Sequence, residues 1–281
     1  MRPLDLGQTI DASMKIVQRQ WRTLALVVLV VAGPLQLLSL IITVATTDGW
    51  SLQPSFGDQA NIRYTDESAY AAGQVGIIAL TLLSYLLGTV ACYRAVADTY
   101  LGRATTVRQS LGFAVDRLGA SLWLSVLLVV AVMAGLLAFV VPGIWMFVAW
   151  SVALPAMLVE GVRGTAALRR SSALTKDRWW ATAGRLVVGA IIGYVVGVTA
   201  SVIAVVLGVL VFDKGSVAAL VIQHAGALAG ALFTTPFLAA VTVLVYFDLR
   251  VRKERFDPGR AGEAAPETFG GWLPPSAGQQ S

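Results

Sequence analysis

Six stretches of the chain are almost wholly apolar, and short polar, basic segments separate them at recurring intervals. The stretches cover residues 23–46, 74–93, 120–141, 144–159, 186–212 and 217–247. About 20 such residues, coiled as a helix, cross the hydrocarbon core of a bilayer. None of the six contains Asp, Glu, Lys or Arg, each of which costs about 2.5–3.5 kcal/mol at the centre of an inserted helix. The pattern predicts an all-α, polytopic membrane protein with six transmembrane helices. Runs three and four are nearly continuous, and as one helix of about 40 residues they would measure about 60 Å, twice the core thickness. Pro142-Gly143 therefore predicts a tight turn between two spans, the second shortened by Pro155.

Helical periodicity of another kind marks the polar segments. Leu6, Ile10, Met14, Val17, Trp21 and Leu24 recur in steps of three and four, with Gln8, Asp11, Lys15, Gln18, Arg19 and Arg22 mostly opposite. Such a stretch lies in the membrane interface, apolar face down. A second begins at Thr106 and Gln109, spaced as a capping box, and carries Val107, Leu111, Ala114 and Leu118 on one side. A third runs from Gly164-Thr165 to Trp179-Trp180. In each, a serine precedes a bulky apolar residue by eight positions: Ser13 to Trp21, Ser110 to Leu118 and Ser172 to Trp180. The expectation is three copies of one unit, an interfacial helix followed by a transmembrane hairpin. Residues 1–255 form this domain, and the Pro-, Gly- and Ala-rich segment 256–281 reads as a disordered tail.

Charge orients the array. The segments before span one, between two and three, between four and five, and after six hold four, four, six and five basic residues, 19 of the 21 in the chain. Only Arg63 and Lys214 fall on the other side. By the positive-inside rule the basic segments and both termini are cytoplasmic, in the plasma (inner) membrane. With 57% hydrophobic and 13% charged residues, the charge suits a lipid surface rather than a nucleic acid. The expected contacts are the bilayer, anionic headgroups and a possible membrane or cytoplasmic protein.

Candidate chemistry is sparse. Cys92, the only cysteine, lies in an apolar run and reads as a small buried apolar residue. His224, the only histidine, sits in span six beside Gln223 with no acidic residue in any span. It is expected to stay neutral by hydrogen-bonding Gln223, Thr199 or Ser201. The loop at 47–73 carries Asp48, Asp58, Asp66 and Glu67 without the histidine or ligand spacing a metal or hydrolase site needs. No cofactor or metal site and no enzyme activity are expected. The residues singled out are structural. Gly189, Gly193 and Gly197, with Gly226 and Gly230, repeat every four positions and predict close packing of spans five and six. Arg94, Asp98, Glu160, Arg169, Arg170, Trp179, Asp248 and Arg250 gather at the basic helix ends as a candidate cytoplasmic interface. Gly33-Pro34, Pro155 and Thr235-Pro236 break three spans, as in many transport sites. Thr234 and Thr235 are placed to satisfy the carbonyls that Pro236 frees.

Local motifs line up along residues 2–257. They are Arg2-Pro3-Leu4-Asp5-Leu6-Gly7, Pro142-Gly143-Ile144-Trp145, Leu154-Pro155 with Glu160, Ala167-Leu168-Arg169-Arg170-Ser171 with Trp179-Trp180, and Thr235-Pro236 leading to Tyr246-Phe247-Asp248-Leu249-Arg250-Val251-Arg252-Lys253-Glu254. In these the chain resembles the bacterial glycerophosphoryl diester phosphodiesterase membrane-domain family, as a stand-alone member. The barrel that supplies the activity in fused proteins has catalytic histidines and metal-binding carboxylates with no counterpart in this sequence, so the resemblance implies no activity and no site residues. The leading expectation is a non-catalytic scaffold or accessory component of a cell-envelope process. The alternative is a transporter or lipid-handling permease, which a polar cavity reaching mid-membrane would favour.

Overall fold

The computed structural model describes residues 5–46, 67–103, 105–212 and 216–254. Among the described residues the chain forms ten α-helices and no strand. The outer-loop residues Asp48, Asp58 and Asp66, the opening residues Arg2 to Leu4 and the tail 256–281 lie outside them. In order, the helices are α1 (Leu6–Arg19), α2 (Trp21–Thr46), α3 (Glu67–Tyr100), α4 (Val107–Asp116), α5 (Leu118–Ala138), α6 (Val140–Ala149), α7 (Ala153–Glu160), α8 (Thr165–Thr175), α9 (Trp179–Val211) and α10 (Val217–Glu254). Six segments are long and apolar enough to cross a membrane: α2, α3, α5, α6 with α7, α9 and α10. The protein is a polytopic integral membrane protein.

The helices fall into three units, α1–α3, α4–α7 and α8–α10. Each opens with a short helix that meets the next across a sharp bend. The bend residues are Gln20 (φ −119°, ψ 25°), Arg117 (−102°, 3°) and Arg178 (−130°, 19°), one backbone conformation used three times. Burial keeps the same register across the bends. Ser13, Ser110 and Ser171 are fully buried, and each lies eight residues before the start of α2, α5 or α9. Counting on from them, Val17, Ala114 and Thr175, then Leu24, Ser121 and Thr182, then Val27, Leu124 and Arg185 are all buried. The third unit is thus aligned by Ser171 and Trp179, one residue before the expected Ser172 and Trp180. Ser171 faces the protein, whereas Ser172 is only partly buried.

These three units close on one another. The short helix of the second unit, α4, packs on α2 and α3 of the first, and α8 of the third packs on α5, α6 and α7 of the second. The cycle is completed by α1, which packs on α9 and α10. Leu6 of α1 lies against Gly184 of α9, where an added Cβ would sit 3.8 Å from its Cδ1. The core lies toward the basic end, around the returning helices: Leu86 to Ala97 of α3, Ala153 to Val159 of α7 and Phe237 to Leu249 of α10 supply most of it.

Two expectations about the fourth span are corrected. The chain reverses at Phe139, whose extended backbone (φ −158°, ψ 138°) separates α5 from α6, and not at Pro142-Gly143. Pro142 is the third residue of α6, where its missing N–H would have no intrahelical partner in any case. Gly143 is needed for the close return, because an added Cβ would lie 2.4 Å from Leu136 Cγ and 2.7 Å from Leu136 N. The span is also broken in two. Residues Trp150 to Val152 leave helical geometry, and α8 fills the gap. Ser171 Oγ (2.8 Å) and Thr175 Oγ1 (3.2 Å) both donate to the carbonyl of Ala149, and Trp150 Nε1 donates to Ser172 Oγ at 2.9 Å. Hydroxyls thereby satisfy a backbone group the helix no longer serves.

The fifth span begins earlier than hydropathy suggests. Helix α9 starts at Trp179, not residue 186, and so takes in Arg185, which is buried.

Candidate functional site

Between the spans a cavity of about 140 Å3 lies at the meeting of α2, α3 and α10. Gln36, Ser39, Thr81, Ser84, Tyr85 and Thr235 supply its polar lining, and Val28, Val31, Ala32 and Leu35 complete the wall. Gln36 lies 15 residues above the basic end of α2, about 22 Å at 1.5 Å per residue, so the lining reaches well into the hydrocarbon region. Two proline-bearing membrane helices border it, with Pro34 in α2 and Pro236 in α10. Gly88 of α3 also lines it, where an added Cβ would lie 3.8 Å from the Thr235 methyl.

Polar groups at this depth ordinarily find partners, because an unmet one costs several kcal/mol in hydrocarbon. Thr81 is served by its own helix through Ile77 O at 2.8 Å. Gln36, Ser39, Ser84 and Thr235 form no side-chain hydrogen bond with another described residue. Ser39 is 4% exposed, and its hydroxyl faces the cavity.

On the other side of α10 the packing is dry. The tandem glycines of α9 meet α10 along one seam. Added Cβ atoms at Gly189, Gly193 and Gly197 would lie 2.8 Å from Val241, 3.2 Å from Leu238 and 2.4 Å from Thr234 Oγ1. From α10, an added Cβ would lie 2.1 Å from Ala204 Cβ at Gly226 and 2.7 Å from Gly197 O at Gly230. Thr234 Oγ1 donates across this seam to Gly193 O at 2.9 Å, serving α9 rather than the carbonyls freed by Pro236.

No family model matches the chain, and neither a curated protein nor a solved structure does. The site must be read from its own chemistry.

The eight residues of the candidate interface are held mostly by one another. Arg94 Nε pairs with Asp98 at 2.7 Å within α3, and the Arg94 guanidinium covers the Phe113 ring of α4 at 5.2 Å. Glu160, ending α7, receives Arg170 Nε at 2.6 Å and the Tyr246 hydroxyl at 2.7 Å. Arg170 also pairs with Glu254, and Arg250 reaches Glu254 at 3.1 Å. Burial opposes the charge on Arg170, but its hydrogen bonds to the Glu160 and Glu254 carboxylates outweigh it and hold the guanidinium above its usual pKa. Trp179 Nε1 donates to Trp145 O at 3.2 Å, and only Arg169 is fully on the surface. Asp248, placed in the candidate interface by its position at the end of span six, is buried, paired to Arg185 Nη1 at 2.7 Å and Arg252 Nε at 2.8 Å.

Sequence reasoning missed the cavity residues and Arg185. Gln36 offered a signal, as the one strongly polar side chain inside the first apolar run, with Ser39 one turn on. Among the described residues, no three His, Cys, Asp or Glu side chains gather as metal ligands. His224 Nδ1 lies 3.0 Å from Leu220 O on its own helix, so its hydrogen-bond partner is that carbonyl rather than Gln223, Thr199 or Ser201. With that local partner and no ion pair, His224→Ala is expected to shift the melting temperature by less than about 2 °C, a change of under about 0.5 kcal/mol. A larger loss in a detergent melt would assign the ring a role in packing or function.

Proposed function

We propose that the protein is a non-catalytic, lipid-handling membrane component that admits an amphiphile sideways from the bilayer into the α2–α3–α10 cavity. The observation that carries this reading is a set of unserved polar side chains at membrane depth, between two proline-bearing helices. Broken or kinked helices beside polar cavities are the usual construction of membrane binding sites. In this reading the basic face is cytoplasmic and the membrane is the bacterial inner membrane, following the charge asymmetry. Exposed Arg19, Arg22, Arg108, Arg163, Lys176 and Arg178 bind anionic headgroups at that face. Membership of the phosphodiesterase membrane-domain family belongs to the same proposal, without the activity its name describes.

A scaffold is the second reading. It is favoured by the glycine seam of α9 and α10 and by the ion pairs that tie α7, α8, α9 and α10 into one basic face. Exposed Arg169 and Trp180 are where a cytoplasmic partner would dock.

Photocrosslinking decides between them. Cells fed a fatty acid with a photoactivatable group mid-chain should yield lipid adducts concentrated on α2, α3 and α10 beside the cavity, reduced severalfold in Gln36→Leu. Adducts spread evenly over the exposed faces of α5 and α9, unchanged by Gln36→Leu, would overturn the lipid-handling reading.

A further inference from the structure

We infer that the cavity selects an uncharged, hydroxylated lipid headgroup of diacylglycerol type over an anionic phospholipid. This rests on the lipid-handling reading and narrows it. No lining residue is charged, so the site offers six neutral side chains: one amide, four aliphatic hydroxyls and one phenol. Gln36, Ser39, Ser84 and Thr235 can each donate and accept, which suits a headgroup that also both gives and takes hydrogen bonds, as a glycerol hydroxyl beside ester carbonyls does. A phosphate at the same depth would carry its charge away from water with no cation to meet it, a heavy cost in a medium of low polarity. The arginines of the basic face cannot answer that charge. On α3 and α10, which border the cavity and reach that face, Arg94 is paired with Asp98, ten residues along α3 from Ser84, and Arg250 and Arg252 are paired with Glu254 and Asp248, 15 and 17 residues along α10 from Thr235.

Size and access agree. A volume of about 140 Å3 holds several waters or one glyceryl group, and is too small for the acyl chains. The chains can stay in the bilayer, because the mouth opens sideways. Thr81 and Tyr85, the exposed lining residues, stand one turn apart on the surface of α3 that also presents Ile78 and Leu82 outward.

The internal repeat explains why one seam between units keeps this site. In the third unit the helices that correspond to α2 and α3 are α9 and α10. Gly197, Gly226 and Gly230 draw those two so close that only short side chains such as Ala204 and Thr234 fit between them there. In the first unit the same interval carries Gln36, Ser39 and Ser84 instead.

Detergent-purified protein, incubated with dioleoylglycerol or dioleoyl phosphatidic acid and freed of excess by gel filtration, tests the inference by mass spectrometry of the retained lipid. The expected result is retention of dioleoylglycerol at about tenfold the level of phosphatidic acid. Gln36→Leu combined with Ser39→Ala should lower the former about tenfold, as losing one or two desolvated hydrogen bonds does. Leu37→Ala, on the lipid-facing side of the same helix, should leave retention unchanged, and Ser84→Ala serves if the double variant does not fold. Equal or stronger retention of phosphatidic acid, still sensitive to the variants, overturns the headgroup selection and leaves the lipid-handling reading standing. Retention of both lipids with no response to any cavity variant overturns both.

Discussion

Replacing Asp248 with alanine is expected to destabilise the detergent-solubilised protein by about 3–5 kcal/mol, the usual cost of stranding a buried charge. Two guanidinium groups depend on this one carboxylate, Arg185 at 2.7 Å and Arg252 at 2.8 Å. The Asp248 side chain is 1% exposed and that of Arg185 is 6% exposed, so neither Arg185 nor its partner can turn to water. The two halves of the pair are not equivalent. Arg185→Gln leaves Asp248 with Arg252, and should cost distinctly less than Asp248→Ala. Joining Asp248→Leu to Arg185→Met removes both charges and should recover part of the loss, because a well-packed apolar pair avoids the desolvation the ion pair incurs. Thermal melts followed by gel filtration would measure the series. Asp248→Ala no more harmful than Arg185→Gln would show that the buried pair does not fix the joint between α9 and α10.

The second large effect is steric. Gly230→Ala places a methyl carbon 2.7 Å from the carbonyl oxygen of Gly197, and Gly226→Ala places one 2.1 Å from the Ala204 methyl. Backbone stands behind both contacts, so relief requires the helices to part, not a side chain to turn. Each substitution should cost about 1–3 kcal/mol, as overpacking does, and the two together should lose the hairpin. Gly112→Ala provides the contrast. That glycine lies within α4 with nothing inside 4 Å of the added carbon, so the change should stabilise by up to about 1 kcal/mol through helix propensity. The idea of a seam set by glycine fails if Gly226→Ala and Gly230→Ala melt with the parent protein.

How far the sequence reached follows from the kind of signal each feature leaves. Hydropathy found all six spans because burial in lipid demands it residue by residue. It misplaced the start of α9 because Arg185 looks like an interfacial arginine until Asp248, 63 positions later, is seen to neutralise it. Pro142-Gly143 suggested the turn, yet the extended residue is Phe139, whose type carries no turn signal. The proline is merely tolerated in the first helical turn, and the glycine serves close packing. The serine spacing exposed the repeat but slipped by one in the third unit, where Ser171 and Ser172 are adjacent and only burial tells them apart. Cavity residues were the hardest to find. Gln36, Ser39, Ser84 and Thr235 are unremarkable singly, and what makes them a site is the convergence of three helices from two ends of the chain.

The closed ring of units has a consequence for how the chain is made. Helix α1 leaves the ribosome before α9 and α10, so its seat on them exists only after that hairpin has entered the bilayer. Until then Thr9 and Ser13, which end fully buried, must wait at the lipid surface. Maturation is therefore gated by its final step, and a chain stalled before α10 holds a displaced leading helix that quality-control proteases can reach.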